Sequence, residues 1–233
     1  MHSDHMRILA LDTSSRVSSV ALCETEMLVA ESTVNLHSTH SQSLLHQLDT
    51  LLKAAGWTLA DLDLLAVVSG PGAFTGVRIG VATVKGLAQV LNLPVVTVSS
   101  LAAVAMNLPL QPVPVCAFID ARKKEVYTQL FTNQDGFPRA LNQAQVVSPQ
   151  KLLAEISETT CFVGDGVPVY RDLILAQGGY VAPIYCHPIQ ASKVAAMALE
   201  HFRNNLSLRP EQVVPTYIRP SDAELNRPAL KDC

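Results

Sequence analysis

No apolar run in the 233-residue chain approaches the roughly 18 uninterrupted residues that a membrane-crossing helix needs, and its start lacks the charged-then-apolar pattern of a secretory signal. A cytoplasmic globular protein with no membrane partner is therefore expected. No Cys-x-x-Cys pair occurs among Cys23, Cys116, Cys161, Cys186 and Cys233, which removes the spacing of a zinc site or a disulfide framework. Reduced, mostly buried thiols are expected instead. The formal net charge is -3 and the only basic cluster is Arg122-Lys123-Lys124, so the footprint of an autonomous nucleic-acid binder is missing and any RNA contact is expected to need a partner. No Gly-x-Ser-x-Gly elbow is present either, which leaves a serine hydrolase without support.

What is present is enough apolar material, 48% of residues, to bury a core in one or two lobes. Residues 1–5 carry two histidines ahead of a second methionine, Met6, and are expected to be an expression leader, so that His2 and His5 carry no functional weight. From Arg7 the chain predicts strands over Arg7–Asp12, Val17–Cys23 and Met27–Val34. A helix over His40–Ala55 follows, with a Thr39/Gln42 capping box and Gly56 just past its end. Asp63–Ser69 reads as a buried strand, Val77–Leu91 as a helix and Leu93–Val98 as a strand, which is a βαβ unit. A Pro-rich joint at Leu108–Pro114 marks a boundary between lobes at 6–107 and 108–233. After it, Val115–Asp120 and Glu125–Phe131 repeat the opening hairpin, so an internal duplication into two similar α/β lobes is expected. Weaker predictions are a helix over Pro149–Ile156 capped by Ser148, a strand at Cys161–Val163, and an amphipathic helix from Ala191 to Phe202, a candidate to return to the first lobe.

Asp12 and Asp120 each end a strand beside a polar turn. They are either the carboxylates of a two-lobed nucleotide fold or ordinary turn residues. The first turn, Asp12-Thr13-Ser14-Ser15, has no glycine, which weakens it as a phosphate loop. Ser69–Gly80 is a glycine-punctuated turn between a strand and a helix. Without a Gly-Lys-Ser/Thr ending it is not a P-loop, and it reads as a tight turn or a helix N-terminal anion site. Gly76, Gly80 and Thr83 share one side of the following helix, with Leu87 a turn further, and a face that small packs closely on its own sheet or on another chain. Gly164-Asp165-Gly166 is a third glycine turn, placed to touch an adenosine or simply to turn the chain. His37, His40 and His46 have no carboxylate or cysteine within ligand spacing, so a solvated helix start is the better reading.

Taken in order, Ile8-Leu-Ala-Leu-Asp-Thr-Ser-Ser15, His40-Ser-Gln, Ser69–Gly80, Ile119-Asp-Ala-Arg122 with Glu125-Val-Tyr127, Val163-Gly-Asp-Gly166 and Pro215-Thr-Tyr-Ile-Arg-Pro220 resemble the TsaB (YeaZ) family. The resemblance implies an α/β, two-lobed fold of the actin, hexokinase and Hsp70 (ASKHA) type. It also implies a non-catalytic scaffold for the related enzyme TsaD, which makes N6-threonylcarbamoyladenosine (t6A) in transfer RNA. TsaD-like enzymes hold a metal with a His-x-x-x-His pair, and alignment places Ser100 and Val104 at those positions, which removes the ligands. Implied partners are TsaD, TsaE in a larger complex, a functional link to TsaC, and a second copy when alone, with transfer RNA reached through the complex. No cofactor is implied for this chain, and ATP or ADP would belong at the complex interface, with Asp12, Thr13, Asp120, Gly164, Asp165 and Gly166 as the candidate nucleotide cleft. The docking face implied is Gly76, Gly80, Thr83, Val84 and Leu87 beside Leu45, Leu48 and Leu52. On that reading, a bulky residue at Gly80 would abolish docking and leave the monomer folded. Two enzyme readings compete: an ATP-dependent phosphotransferase using Asp12 and Asp120, and a metallopeptidase, which the missing histidine pair disfavours.

Overall fold

The computed structural model describes residues 5–35, 40–133 and 135–219, the side chains of residues 40–42 excepted. The Thr39/Gln42 cap, the His37/His40 pair, residues 1–4, Pro220 and Cys233 lie outside that description. In chain order the elements are β1 (Arg7–Asp12), β2 (Val17–Glu24), β3 (Met27–Asn35), α1 (His40–Ala55), β4 (Leu64–Gly70), α2 (Phe74–Leu91), β5 (Val95–Ser99), α3 (Ser100–Ala105), β6 (Val115–Arg122) and β7 (Glu125–Thr132). Next come β8 (Arg139–Ala140), β9 (Gln145–Val147), α4 (Pro149–Glu155), β10 (Cys161–Val163), α5 (Val167–Ala176), β11 (Tyr180–Val181) and α6 (Ala191–Arg203).

The first sheet runs β3-β2-β1-β4-β5, and the second runs β11-β10-β6-β7-β8 with β9 also on β7. Each has an antiparallel hairpin, β1 with β2 or β6 with β7, whose first strand pairs in parallel with a strand that ends in a glycine turn, β4 or β10. The second half therefore repeats the first in topology, with Asp12 ending β1 and Asp120 two residues before the end of β6, where the ladder shifts register.

Strand alternation explains why β1 reads as a continuous apolar run. Leu9 and Leu11 point to one face, where they meet α1 and α2. Ile8 and Ala10 point to the other, where α3 and α6 cover them. A strand covered on both faces has no polar side to show. The second sheet is built alike: Cys116 and Phe118 pack under α4 and α5, while Val115, Ala117 and Ile119 face the same α3–α6 layer as the first sheet. The central layer is thus one apolar core shared by both lobes.

Polar contacts close that layer at its edges. Ser19 Oγ accepts from the N–H of Ala191 at 2.9 Å, and Glu31 accepts from the Ser192 N–H at 2.8 Å and hydroxyl at 3.0 Å. These satisfy donors that the start of α6 would otherwise leave unpaired. Buried Asn133 of the second lobe donates to the Ala105 carbonyl at 2.7 Å and the Leu108 carbonyl at 2.8 Å, which closes the end of α3. Asn107 donates likewise to Cys186 and Pro188.

After α6 the chain straps back across the first lobe. Leu208 bridges to Val95 and Val213 is buried beneath α2. The Thr216 N–H donates to Ser69 at 2.7 Å, and Arg219 Nη1 reaches Glu125 Oε2 of the second lobe at 2.6 Å. Replacing Asn133 with alanine removes the side-chain donor from the Leu108 carbonyl and one of the two donors on the Ala105 carbonyl, which keeps the Leu108 N–H. Asn133→Ala is expected to cost about 2 kcal/mol, read as a lower urea midpoint at unchanged slope.

Candidate functional site

The duplicated strand ends meet at the lobe junction. Asp12 is fully buried; its Oδ1 accepts from the Ser14 N–H at 2.8 Å, while Oδ2 has no partner. Burial pushes its carboxyl up to about 6, against the hydrogen bonds from Ser14, and the nearby charge of Asp165 pushes the same way. Asp165 is also raised, first by burial, although its Oδ1 accepts from the Asp120 N–H at 3.0 Å. Asp120 itself is turned outward and held by Arg122, which contributes its N–H at 2.9 Å and its guanidinium at 3.0 Å.

The glycine turns do equivalent work in the two halves. A Cβ on Gly72 would lie 2.3 Å from the Ser14 carbonyl, and one on Gly164 would lie 2.4 Å from the Phe118 carbonyl. Each turn is wedged against the first strand of its own sheet, so glycine is required by backbone approach and, at Gly164, by its φ of +132°. Gly166 donates its N–H to the Phe118 carbonyl at 3.1 Å. His187, which the sequence did not single out, supplies a buried acceptor, Nδ1, for the Gly164 N–H at 3.3 Å. Burial lowers its pKa, which keeps the imidazole neutral and able to accept.

The structure therefore brings Asp12, Thr13, Gly164 and Gly166 into one buried seam, with Asp120 and the exposed Asp165 at its rim. Thr13 is committed elsewhere: its hydroxyl donates to the Gly76 carbonyl at 2.7 Å. Among the described residues no group of three His, Cys, Asp or Glu side chains is arranged to hold a metal. At the start of α3, the Ser100 hydroxyl donates to the Pro71 carbonyl, and Val104 sits in the shared core at 1% exposure. A cavity of about 160 Å³ lies elsewhere, against Leu153, Thr160, Phe162 and Gly179, and none of the candidate residues lines it. Its volume is below the ~300 Å³ at which small-molecule pockets usually begin.

The outer helices correct the expected docking face. Gly76, Gly80 and Val84 are buried on the inner side of α2. A Cβ on Gly76 would lie 2.0 Å from the Thr13 carbonyl, and one on Gly80 2.5 Å from Thr13 Oγ1 and 3.2 Å from Leu11. These glycines admit the chain's own β1 turn, so they offer nothing to a second chain, and a bulky residue at Gly80 would damage the monomer. Leu48 and Leu52 are likewise buried beneath α1. Thr83 and Leu87 remain half-buried and Leu45 is 58% exposed. The more outward row of α2 is instead Thr75, Ile79, Ala82, Gly86 and Val90, at helical spacing, with Ile79 still packed in part on the core. Gly86 has open space where a side chain would stand. The row was readable as a second stripe at i, i+4, i+7, i+11 and i+15, but sequence alone does not say which stripe faces the sheet.

Two similar lobes joined by a shared helical layer, with an aspartate at or near the end of the first strand of each, define the ASKHA class of fold. An activator of 2-hydroxyisocaproyl-CoA dehydratase from Clostridium difficile, solved with bound ADPNP, shares that fold at a TM-score of 0.51 and 11% identity, over 86% of this chain and 97% of that one. Residues 32–227 match the family model described as TsaD: tRNA N6-adenosine threonylcarbamoyltransferase. YeaZ from Pseudomonas aeruginosa superposes at a TM-score of 0.79 with 30% identity, covering 91% of this chain and 99% of that one. The tRNA threonylcarbamoyladenosine biosynthesis protein TsaB of Bacillus subtilis is 30% identical over 94% of this chain and 96% of its own length. The chain belongs to the TsaB family.

Gly80→Leu is expected to cost more than 2 kcal/mol, or to prevent folding, because the inner face of α2 cannot recede from the β1 turn; an unaltered thermal midpoint would contradict the packing. Folded Asp12 binds its proton more tightly than the ordinary value of 3.8. Stability should therefore fall as pH rises from about 4 to about 6 and stay lower above that range. Asp12→Asn should melt higher than the parent at pH 7.5, by on the order of 2 kcal/mol, and lose that advantage below pH 4. Comparing the two proteins cancels the opposite effect of protonating His187.

Proposed function

We propose that this chain takes part in forming N6-threonylcarbamoyladenosine in transfer RNA as a scaffold that docks and orders a TsaD-type catalytic subunit, without catalysis of its own. The observation that carries the reading is the start of α3. Where a TsaD-like enzyme would place two histidines, this chain has a serine bonded to the Pro71 carbonyl and a valine inside the apolar core. An ion has nothing to bind there. The adjoining faces of α1 and α2 provide the docking surface, with Leu45, Ala82, Gly86 and Val90 exposed and Thr83 and Leu87 at its edge. Small residues on an outward helix let a second helix approach closely, and the exposed leucine and valine supply the apolar contact.

TsaD is the principal partner on this reading, with TsaE joining a larger complex, a functional link to TsaC, and a second copy covering the same face when the chain is alone. Nucleotide belongs to the complex interface, and transfer RNA is engaged through the complex. An ATP-dependent phosphotransferase is the competing reading, favoured by the unpartnered Asp12 Oδ2 at the lobe junction. The Thr13 hydroxyl bonded to Gly76 and the glycine-filled turn leave that seam little room for phosphates. Magnesium-ATP hydrolysis by the isolated chain, lost in Asp12→Asn, would favour the phosphotransferase.

Reconstitution with TsaC, TsaD and TsaE, with and without this chain, tests the scaffold: modified nucleoside should form only with it. Gly86→Arg separates docking from folding. The exchange removes a helix-interior glycine, so the isolated chain should gain about 0.5 to 1 kcal/mol. Co-elution with TsaD should weaken at least tenfold, and undiminished co-elution would move the interface elsewhere.

A further inference from the structure

The tip of the β6–β7 hairpin is built against the usual preference of its residues. Arg122 pairs with Glu125 across the ladder, which leaves Lys123-Lys124 as a two-residue turn. Both have left-handed backbones, with φ of +52° and +62°, and Arg122 beside them has φ of +62°. Turns of this kind favour Asn-Gly because side chains resist positive φ. Here three successive cations occupy such backbones, and all three are exposed. They form the only basic cluster in a chain of net charge -3. The equivalent turn of the first lobe, at Ser14, Ser15 and Arg16, has one cation.

We infer that this tip is a contact for the phosphate backbone of RNA. The inference rests on the reading of the chain as a subunit of a transfer-RNA-modifying complex, and it adds a direct contact from this chain. Strain kept in an exposed turn points to a role for the side chains it displays. No large apolar side chain is exposed between Val115 and Phe131, which removes the anchors that a lipid surface or a protein hot spot would use. All three residues of the tip are exposed among the described residues, and a small anion needs enclosure whereas a polyanion does not. Arg122 is braced by Asp120 at 3.0 Å, and Arg219 braces the hairpin base through Glu125 and the Ala121 carbonyl at 2.9 Å. The two lysines are therefore carried on a fixed mount.

The test replaces Lys123-Lys124 by the dipeptide that the turn prefers. Lys123→Asn/Lys124→Gly should melt a few degrees higher than the parent and co-elute with TsaD as the parent does. Its affinity for unmodified transfer RNA should fall about five- to tenfold near physiological salt. The slope of log affinity against log salt should flatten by about 1.5, since each phosphate contact contributes roughly 0.7 to 0.9. Equal affinity and slope for parent and variant would overturn the inference, whatever happens to the melting temperature. Magnesium-ATP and inorganic phosphate form a second arm; a variant that loses these but keeps RNA would also overturn it. The salt series is run on the isolated chain as well, where the same flattening is expected at weaker affinity. A parent that fails to co-elute with TsaD then counts against the docking reading alone.

Discussion

Contact between the β1 turn and the inner face of α2 sets the geometry of the first lobe. The carbonyls of Thr13 and Ser14 lie where the Cβ atoms of Gly76 and Gly72 would be, and the Thr13 hydroxyl bonds the Gly76 carbonyl. Backbone meets backbone at two glycine positions, and the Thr13 side chain meets Gly80 at a third, so α2 cannot shift along the sheet without a steric clash. Everything on the outward side of α2 inherits its placement from that seat.

Asp12 sits one residue from this seat, and its chemistry follows from the closure. A carboxylate with one unpartnered oxygen in a buried seam is held reluctantly in its charged form. Asp120, its counterpart in the second half, is partly exposed and paired with Arg122. The duplication thus keeps two acidic positions and places them in opposite surroundings, one dry and one wet. Such divergence accompanies different neighbours, the first turn being seated against α2 and the second lying at the base of a charged hairpin.

Much of this was legible beforehand. β1, α1 and β10 begin and end where periodicity and flanking glycines put them, because their apolar patterns are long or sharply bounded. The repeated hairpin was visible because both halves spell an apolar run ending in aspartate. The inner face of α2 was not, because small residues mark close approach without naming what approaches, and only the fold reveals that Thr13 fills the space. α5 was missed because it follows a glycine turn directly, carries a proline in its first turn and is kinked at Tyr170. His187 escaped because its role is to accept one backbone hydrogen bond across a long sequence separation.

A two-lobed chain can open only where little connects its halves. Here the α3–α6 layer is a single apolar slab facing both sheets, and the C-terminal strap stitches the end of β4 to the second hairpin through Thr216 and Arg219. Parting the lobes would wet that slab and unpick the stitch together. Separation of the two lobes is accordingly opposed twice over, once by solvation of the slab and once by the strap.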